Sequence, residues 1–258
     1  MVDDAADYAR RFALEHAHYD EDLPFWLHAA RTLGSPVLDL GCASGRLALP
    51  LARHGAEVWA LDSSPEMVAE LRRRLAGEPK EVRARVHPVV GDLRTIDLDG
   101  RFGLVMLAMN TLQVLTTAEE QLACLRAARE RLAPGGEVVF DVAMPDVGEI
   151  AGSLGLVRRT GEHVDPDTGH TLLHSAWYDE FDPVTQTLRF TIQVDDRDGE
   201  GRVTRRLRRF TVHLFMPSEV RHLVARAGLE VVESYGDFEG GPVDAGSQRQ
   251  VHRCRAAA

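Results

Sequence analysis

The stretch Val37-Leu38-Asp39-Leu40-Gly41-Cys42-Ala43-Ser44-Gly45-Arg46 decides the fold. A short apolar run reads as a buried strand, and Gly41 lets the backbone turn tightly before a helix begins near Arg46. On its C-terminal side the same alternation repeats. Strands are expected at 36–40, 57–61, 86–90, 104–108 and 137–142, and helices at 46–54, 65–75 and 117–132, the last stopped by Ala133-Pro134-Gly135-Gly136. Strands that alternate with helices imply right-handed crossovers and a parallel sheet covered on both faces.

On its N-terminal side, residues 3–33 read as two helices, with Tyr8 and Phe12 in the first and Leu23, Trp26, Leu27 and Ala30 in the second. Asp22 is the expected N-cap of the second, with Pro24 at its second position. After Pro145 the pattern changes to period two. Turn signals at Asp165-Pro166-Asp167-Thr168-Gly169, Asp182-Pro183 and Asp196-Arg197-Asp198-Gly199 bound an antiparallel insertion of three or four strands. Leu188, Phe190, Ile192 and Val194 form one face of a strand there, and Arg189, Thr191 and Gln193 the other. A helix at 218–227 and strands at 230–235 and 250–254 close the chain. The expected organisation is N-terminal helices at 1–34, a cofactor-binding core at 35–145, the insertion at 146–216, and the rest of the core at 217–258.

Composition narrows the function. Thirty Lys plus Arg against 40 Asp plus Glu give a formal charge of −10, which disfavours general nucleic-acid binding. The longest apolar run, residues 102–109, is far short of the roughly 18–20 residues that a spanning helix needs. Residues 1–11 carry no secretory pattern, and three cysteines (Cys42, Cys124, Cys254) without a close pair suit a reducing compartment. The expectation is a cytoplasmic protein, monomer or homodimer, with no nucleic-acid or membrane partner.

Ligands of open α/β sheets sit beyond the carboxyl ends of the strands. Asp62 stands 21 residues after Gly41, at the end of the second strand, where an acidic side chain accepts hydrogen bonds from ribose hydroxyls. A dinucleotide fingerprint starting at Gly41 would want glycine at 43 and 46, where this chain has Ala43 and Arg46. Asp39, Asp62 and Asp92 all fall near strand ends, and acidic walls suit a ligand with a cationic part rather than a pyrophosphate.

At these residues the chain resembles the class I S-adenosylmethionine-dependent methyltransferases. Asp39-Leu40-Gly41-Cys42-Ala43-Ser44-Gly45 resembles the family's acidic, glycine-rich loop, with Ala43 in place of its middle glycine. Leu61-Asp62-Ser63-Ser64-Pro65-Glu66-Met67 resembles the second motif, and Gly91-Asp92-Leu93 the third. Asn110-Thr111-Leu112-Gln113 and Leu132-Ala133-Pro134-Gly135-Gly136 resemble elements beside strands four and five.

The resemblance implies a Rossmann-like seven-stranded mixed sheet of order 3-2-1-4-5-7-6 and S-adenosylmethionine as cofactor. It places the methionine end on Asp39, Gly41, Ala43 and Gly45, the ribose on Asp62 beside Ser63, and the adenine on Met67, Gly91, Asp92 and Leu93. Ala108 and Tyr19 complete the expected cofactor contacts. The implied activity is methyl transfer to nitrogen or oxygen of a small molecule, possibly in secondary metabolism. Its alternatives are other chemistry on the same cofactor and, with less support, an NAD(P)-dependent oxidoreductase.

Methyl transfer from a sulfonium needs alignment of the acceptor and exclusion of water more than an obligatory catalytic pair. Candidate bases or acceptor-orienting groups are His174, Tyr178 and His213 in the insertion, and Tyr19 near the N-terminus. Trp26 reads as helix packing, and Cys42 as a small buried residue. No metal site is expected. His170 and His174 would lie about 13 Å apart along a strand, and His16 and His18 face different ways on a helix. The basic run Arg202, Arg205, Arg206, Arg208 and Arg209 reads as a solvated strand face or edge protection, with recognition of an acidic partner as the second reading.

Overall fold

A computed structural model of the chain describes residues 5–17 and 19–257, so His18, weighed above as a ligand, lies outside them. Helices α1 (Ala5–Glu15) and α2 (Leu23–Leu33) precede the core. The core runs β1 (Val37–Leu40), α3 (Ala48–Arg53), β2 (Val58–Asp62), α4 (Pro65–Ala76), α5 (Lys80–Arg83), β3 (Val86–Val90), β4 (Phe102–Leu107), a single 3₁₀ turn (Thr111–Val114), α6 (Ala118–Glu130) and β5 (Leu132–Ala143). The insertion holds α7 (Val147–Ser153) and β6 to β9 (Arg158–Val164, Thr171–Asp182, Thr187–Arg197, Val203–His213), and α8 (Pro217–Arg226), β10 (Leu229–Tyr235) and β11 (Arg249–Ala256) complete the core.

The main sheet has the order β3-β2-β1-β4-β5-β11-β10, as the resemblance implied. Strands β3 to β5 of this order are parallel, while β11 runs antiparallel to β5 and to β10. Every residue of β1 and β4 is buried, because helices cover both faces, and both strands are accordingly apolar apart from Asp39. One cluster, with Leu40, Val105, Phe140 and Phe215, packs under α6 and α8. The other, with Trp26, Val58, Leu71 and Met106, packs under α2, α3 and α4.

The insertion is a four-stranded antiparallel sheet, β6-β7-β8-β9. Its apolar cluster is small: Ile150, Leu188 and Leu214, with Tyr178, Phe181 and Val212 against it. The expected strand faces of β8 are not cleanly divided. Thr191, assigned to the polar side, is 1 % exposed and donates to Asp179 at 2.7 Å.

Two expectations fail locally. Pro134-Gly135-Gly136 does not end α6. It lies in β5, whose register against β4 shifts there, and a Cβ on Gly136 would meet the carbonyl oxygens of Phe102 and Gly103 at 2.7 and 2.9 Å. Asp22 makes no side-chain cap on α2, because its carboxylate is taken by Arg46 and Trp26. The short helices α5 and α7 were not expected from the sequence.

Candidate cofactor and acceptor site

The glycine loop leaves β1 with Gly41 at φ 75° and Gly45 at φ 80°, conformations that favour glycine. Space restricts these positions as well. A Cβ on Gly41 would stand 2.6 Å from Thr111 Cγ2, and one on Gly45 would strike the Leu71 side chain. Ala43 adopts φ 47°, a left-handed conformation that favours glycine. It is held by Asp62, whose Oδ2 accepts the Ala43 N–H at 2.8 Å while Oδ1 accepts the Ser64 N–H at 2.9 Å. One carboxylate therefore ties the first and second loops together. Each oxygen keeps a lone pair for an outside hydroxyl, which fits a ribose diol.

Behind the loop lies buried negative charge. Asp39 is 3 % exposed, and burial pushes its carboxyl up to about 7, opposed by Arg46 and reinforced by Asp62 and Asp22. Arg46 grips Asp22 through both terminal nitrogens, at 2.6 and 2.7 Å, donates to the Tyr19 carbonyl and lies 5.0 Å from the Tyr19 ring centroid. A cavity of about 90 Å³ opens here between Phe12 of α1, Asp39, Gly41, Ala43, Ala108 and Thr111. It has room for a short ammonium-bearing chain, and the nucleoside part would extend along the ends of β2 and β3. The acidic side chains of Asp39 and Asp62 suit a cationic ligand, so the residues present fit the sulfonium cofactor.

The other cofactor candidates sit as follows. Ser63 is exposed at the mouth, and Met67 is buried at the start of α4, its N–H capped by Ser64. Gly91 closes on Leu61, and Leu93 packs against the core. The Asp92 carboxylate is engaged by Arg94, at 2.6 Å from Nη2 to Oδ2, and this pair holds it below the usual range. An adenine amino group would share Asp92 with Arg94.

The insertion candidates do not converge. In the sheet register His174 faces Val194, Tyr178 faces Phe190, and Thr187 lies between Asp182 and His213. Measured along β8, the first two rows are about 13 Å apart and the last two about 10 Å. His174 is buried, stacked on His163 with ring centroids 4.8 Å apart, and burial brings it down to about 4. His213 pairs with Glu219 at 2.8 Å, and Tyr178 belongs to the small apolar cluster. Trp26 is fully buried and donates to Asp22, a packing role. Cys42 is buried, and its thiol is pushed up by that burial.

Much of the basic run is paired rather than merely solvated. Arg205 bonds Asp195, Arg206 bonds Asp196, and Arg208 lies over the Tyr8 ring at 3.1 Å. Arg10 of α1 reaches Asp165 and Asp167 in the β6–β7 turn. The insertion thereby clasps α1, whose Phe12 walls the small cavity.

Asp141 and Arg249 escaped the sequence reading. Asp141, at the end of β5, is fully buried and pushed up to about 6 by that burial. It accepts the N–H groups of Met109 and Asn110 at 2.7 and 3.3 Å, and Arg249 of β11 stands 3.7 Å away. Arg249 also donates to the Tyr19 hydroxyl at 3.4 Å and lies 4.4 Å from the Phe238 ring centroid. A lone aspartate within the apolar run Val138-Val139-Phe140-Asp141-Val142 was the available signal for the first. Nothing local marks the second.

Residues 37–136 match the methyltransferase-domain family. The structure of the CcbJ methyltransferase from Streptomyces caelestis is 34 % identical, with 93 % of this chain and 90 % of that one covered at a TM-score of 0.72. The chain belongs to the class I S-adenosylmethionine-dependent methyltransferases. Its cofactor is S-adenosylmethionine, and the dinucleotide reading falls away. This methyltransferase is also 28 % identical over 236 residues to the cypemycin N-terminal methyltransferase of a Streptomyces species, covering 88 % of this chain and 85 % of that protein. To a ubiquinone biosynthesis O-methyltransferase of Xanthomonas campestris it is 36 % identical over 103 residues, 40 % of this chain and 41 % of that protein. No helix among the described residues is long and apolar enough to cross a membrane, and none of their His, Cys, Asp and Glu side chains form a group of three or more fit to hold a metal.

Proposed function

We propose that this methyltransferase methylates an amine nitrogen of a small molecule. The observation that carries the reading is the extent of likeness. The relative named for methylation of an N-terminus matches across the insertion, whereas the O-methyltransferase matches over 40 % of the chain. The site chemistry agrees. An alkyl hydroxyl needs a base to become a good nucleophile, but a neutral amine already presents its lone pair. His174, Tyr178 and His213 lie too far apart in the insertion sheet to serve one atom together. Buried Asp39 and Asp141 give the site a negative cast that suits amines.

The cofactor, when bound, supplies a methyl group already activated on a sulfonium. The chain's part is to bind, align and exclude water. Asp62 braces the glycine loop and meets the ribose, Asp39 offsets the positive charge, and Asp92, beside Arg94, meets the adenine. Gly41, Ala43, Gly45, Ala108 and Tyr19 line the methionine end, while Ser63, Met67, Gly91 and Leu93 border the nucleoside. Residues 146–216 serve as the acceptor-side cover, holding α1 down through Arg10 and Arg208.

The test is to supply S-adenosylmethionine carrying a ¹³C methyl to the purified chain with matched panels: amino sugars and short peptides with free N-termini, and their hydroxyl counterparts. The expected product carries the label on nitrogen. Label appearing on oxygen or carbon alone would overturn the reading.

A further inference from the structure

Helix α2 shows two faces. Trp26, Ala29 and Ala30 are buried against the core, while Phe25, His28 and Thr32, at three- and four-residue spacing, form the next stripe round the helix. α2 packs on β4 and β5, and α8 packs on β10 from the opposite face of the sheet. Beside α2, over β11 and β10, the sheet is roofed by the loop 236–248 instead of a helix. A cavity of about 420 Å³ is left there, a volume typical of small-molecule sites.

Its walls are aromatic. Phe25 meets Tyr235 edge-on at 6.4 Å between ring centroids and Phe238 at 5.6 Å, so three rings enclose a corner. Ala29 and Leu33 extend the apolar wall. The loop that presents Phe238 is fixed in place. Asp237 accepts the Glu239 and Gly241 N–H groups, both at 2.8 Å, and Arg249 lies against the Phe238 ring at 4.4 Å. A corner already formed costs little ordering when a ligand enters.

The charges select the ligand. The guanidinium of the lining, Arg253, is already taken: it donates to Glu137 at 2.8 and 2.9 Å and to Glu233 at 2.5 Å. Glu233 also accepts the Tyr235 hydroxyl. Arg31 reaches His28 at 3.4 Å and does not line the cavity. Glu239 does line it, is exposed, and has no side-chain partner for its carboxylate among the described residues. The balance is negative, and the faces of aromatic rings attract cations.

We propose that this cavity is an accessory binding site for a small aromatic ammonium ion, separate from the cofactor cavity, with which it shares no lining residue. The three rings take the flat body and face the positive charge, and Glu239 at the rim pairs with it. An anion finds no free cation in the lining, because both carboxylates on Arg253 would have to be displaced first.

Benzyltrimethylammonium is a suitable probe, since its nitrogen has no lone pair left to methylate. Benzyl alcohol and phenylacetate are its neutral and anionic counterparts. Titration of the full chain, saturated with S-adenosylhomocysteine and followed by ¹H–¹⁵N NMR, should show the cation binding about fivefold more tightly than the alcohol and the anion binding weakest. The amides of Phe25, Thr32 and Glu239 should shift. Thr32→Trp, which sets an indole into the cavity from an exposed helix position, should weaken the cation at least about tenfold and leave S-adenosylhomocysteine affinity within about twofold. Glu239→Gln should bring the cation and the alcohol within about twofold of each other.

No binding of the cation, equal binding of the three probes, or cation affinity untouched by Thr32→Trp would overturn the proposal. Sedimentation showing a parent dimer that Thr32→Trp separates would overturn it too, by making the cavity an interface between copies. If Thr32→Trp does not fold, His28→Trp, one turn earlier on the same stripe, carries the same expectations.

Discussion

The core sheet and the insertion sheet are built on opposite terms. In the core, helices enclose both faces, and the backbone of neighbouring elements approaches so closely that Gly103 sits against the carbonyls of Leu33 and Gly34. In the insertion, three buried residues form the apolar cluster, and much of the lateral contact is ionic, as in Arg205 to Asp195 and Arg206 to Asp196. Gly161 of β6 has nothing within 4 Å of where a Cβ would stand. The lesson is a division of labour. The core fixes the cofactor loops rigidly, while the insertion holds α1 through contacts that salt and pH can weaken.

The largest effect should separate these glycines. Gly103→Ala should destabilise the fold by about 3 kcal/mol, since rigid backbone must move, whereas Gly161→Ala should stay within about 0.5 kcal/mol. Urea unfolding followed by circular dichroism gives both values. Equal effects would show that the core is less tightly closed than its geometry implies.

Ligand binding gives the next contrast. Asp62→Ala removes the brace on Ala43 and Ser64 as well as the ribose partner, so S-adenosylhomocysteine affinity should fall about 100-fold, or about 2.7 kcal/mol. Tyr178→Phe, in the insertion's apolar cluster, should change it by less than about twofold. Calorimetry with both variants distinguishes a core-held cofactor from one shared with the insertion.

The smallest contrast is in pH, and its sign differs between the regions. Asp39, raised to about 7, favours the folded state while protonated; that contribution is lost as pH rises through 7. Relative to Asp39→Asn, the parent should lose on the order of 2 kcal/mol between pH 5 and 8. His174, lowered to about 4, acts the other way: its contribution is complete above 6.5 and is lost as pH falls from 6.5 towards 4. Relative to His174→Gln, the parent should lose about 1 kcal/mol between pH 7 and 5. Unfolding midpoints across pH for these pairs decide it.

Strand β1, its loop and the second-strand aspartate were legible because each is a local signal: an apolar run, a glycine turn and a fixed spacing. Two expectations failed where tertiary contact overrode local preference. Pro134-Gly135-Gly136 reads as a helix stop yet bulges inside β5, because β4 leaves room there only for glycine. Asp22 reads as a cap yet serves Arg46, a stronger partner than a backbone N–H.

The sequence by itself determined the order of elements, the glycine loop and the acidic character of the strand ends, since period and turn chemistry act within a few residues. Only the tertiary structure decided which charges meet. Tyr19 and Arg249 are 230 positions apart, Arg10 and Asp165 are 155 apart, and Asp141 becomes the lock on Asn110 only when β4 lies beside β5. Such pairings depend on the path of the whole chain, and burial, which sets the protonation of Asp39 and Asp141, exists only once that path has closed.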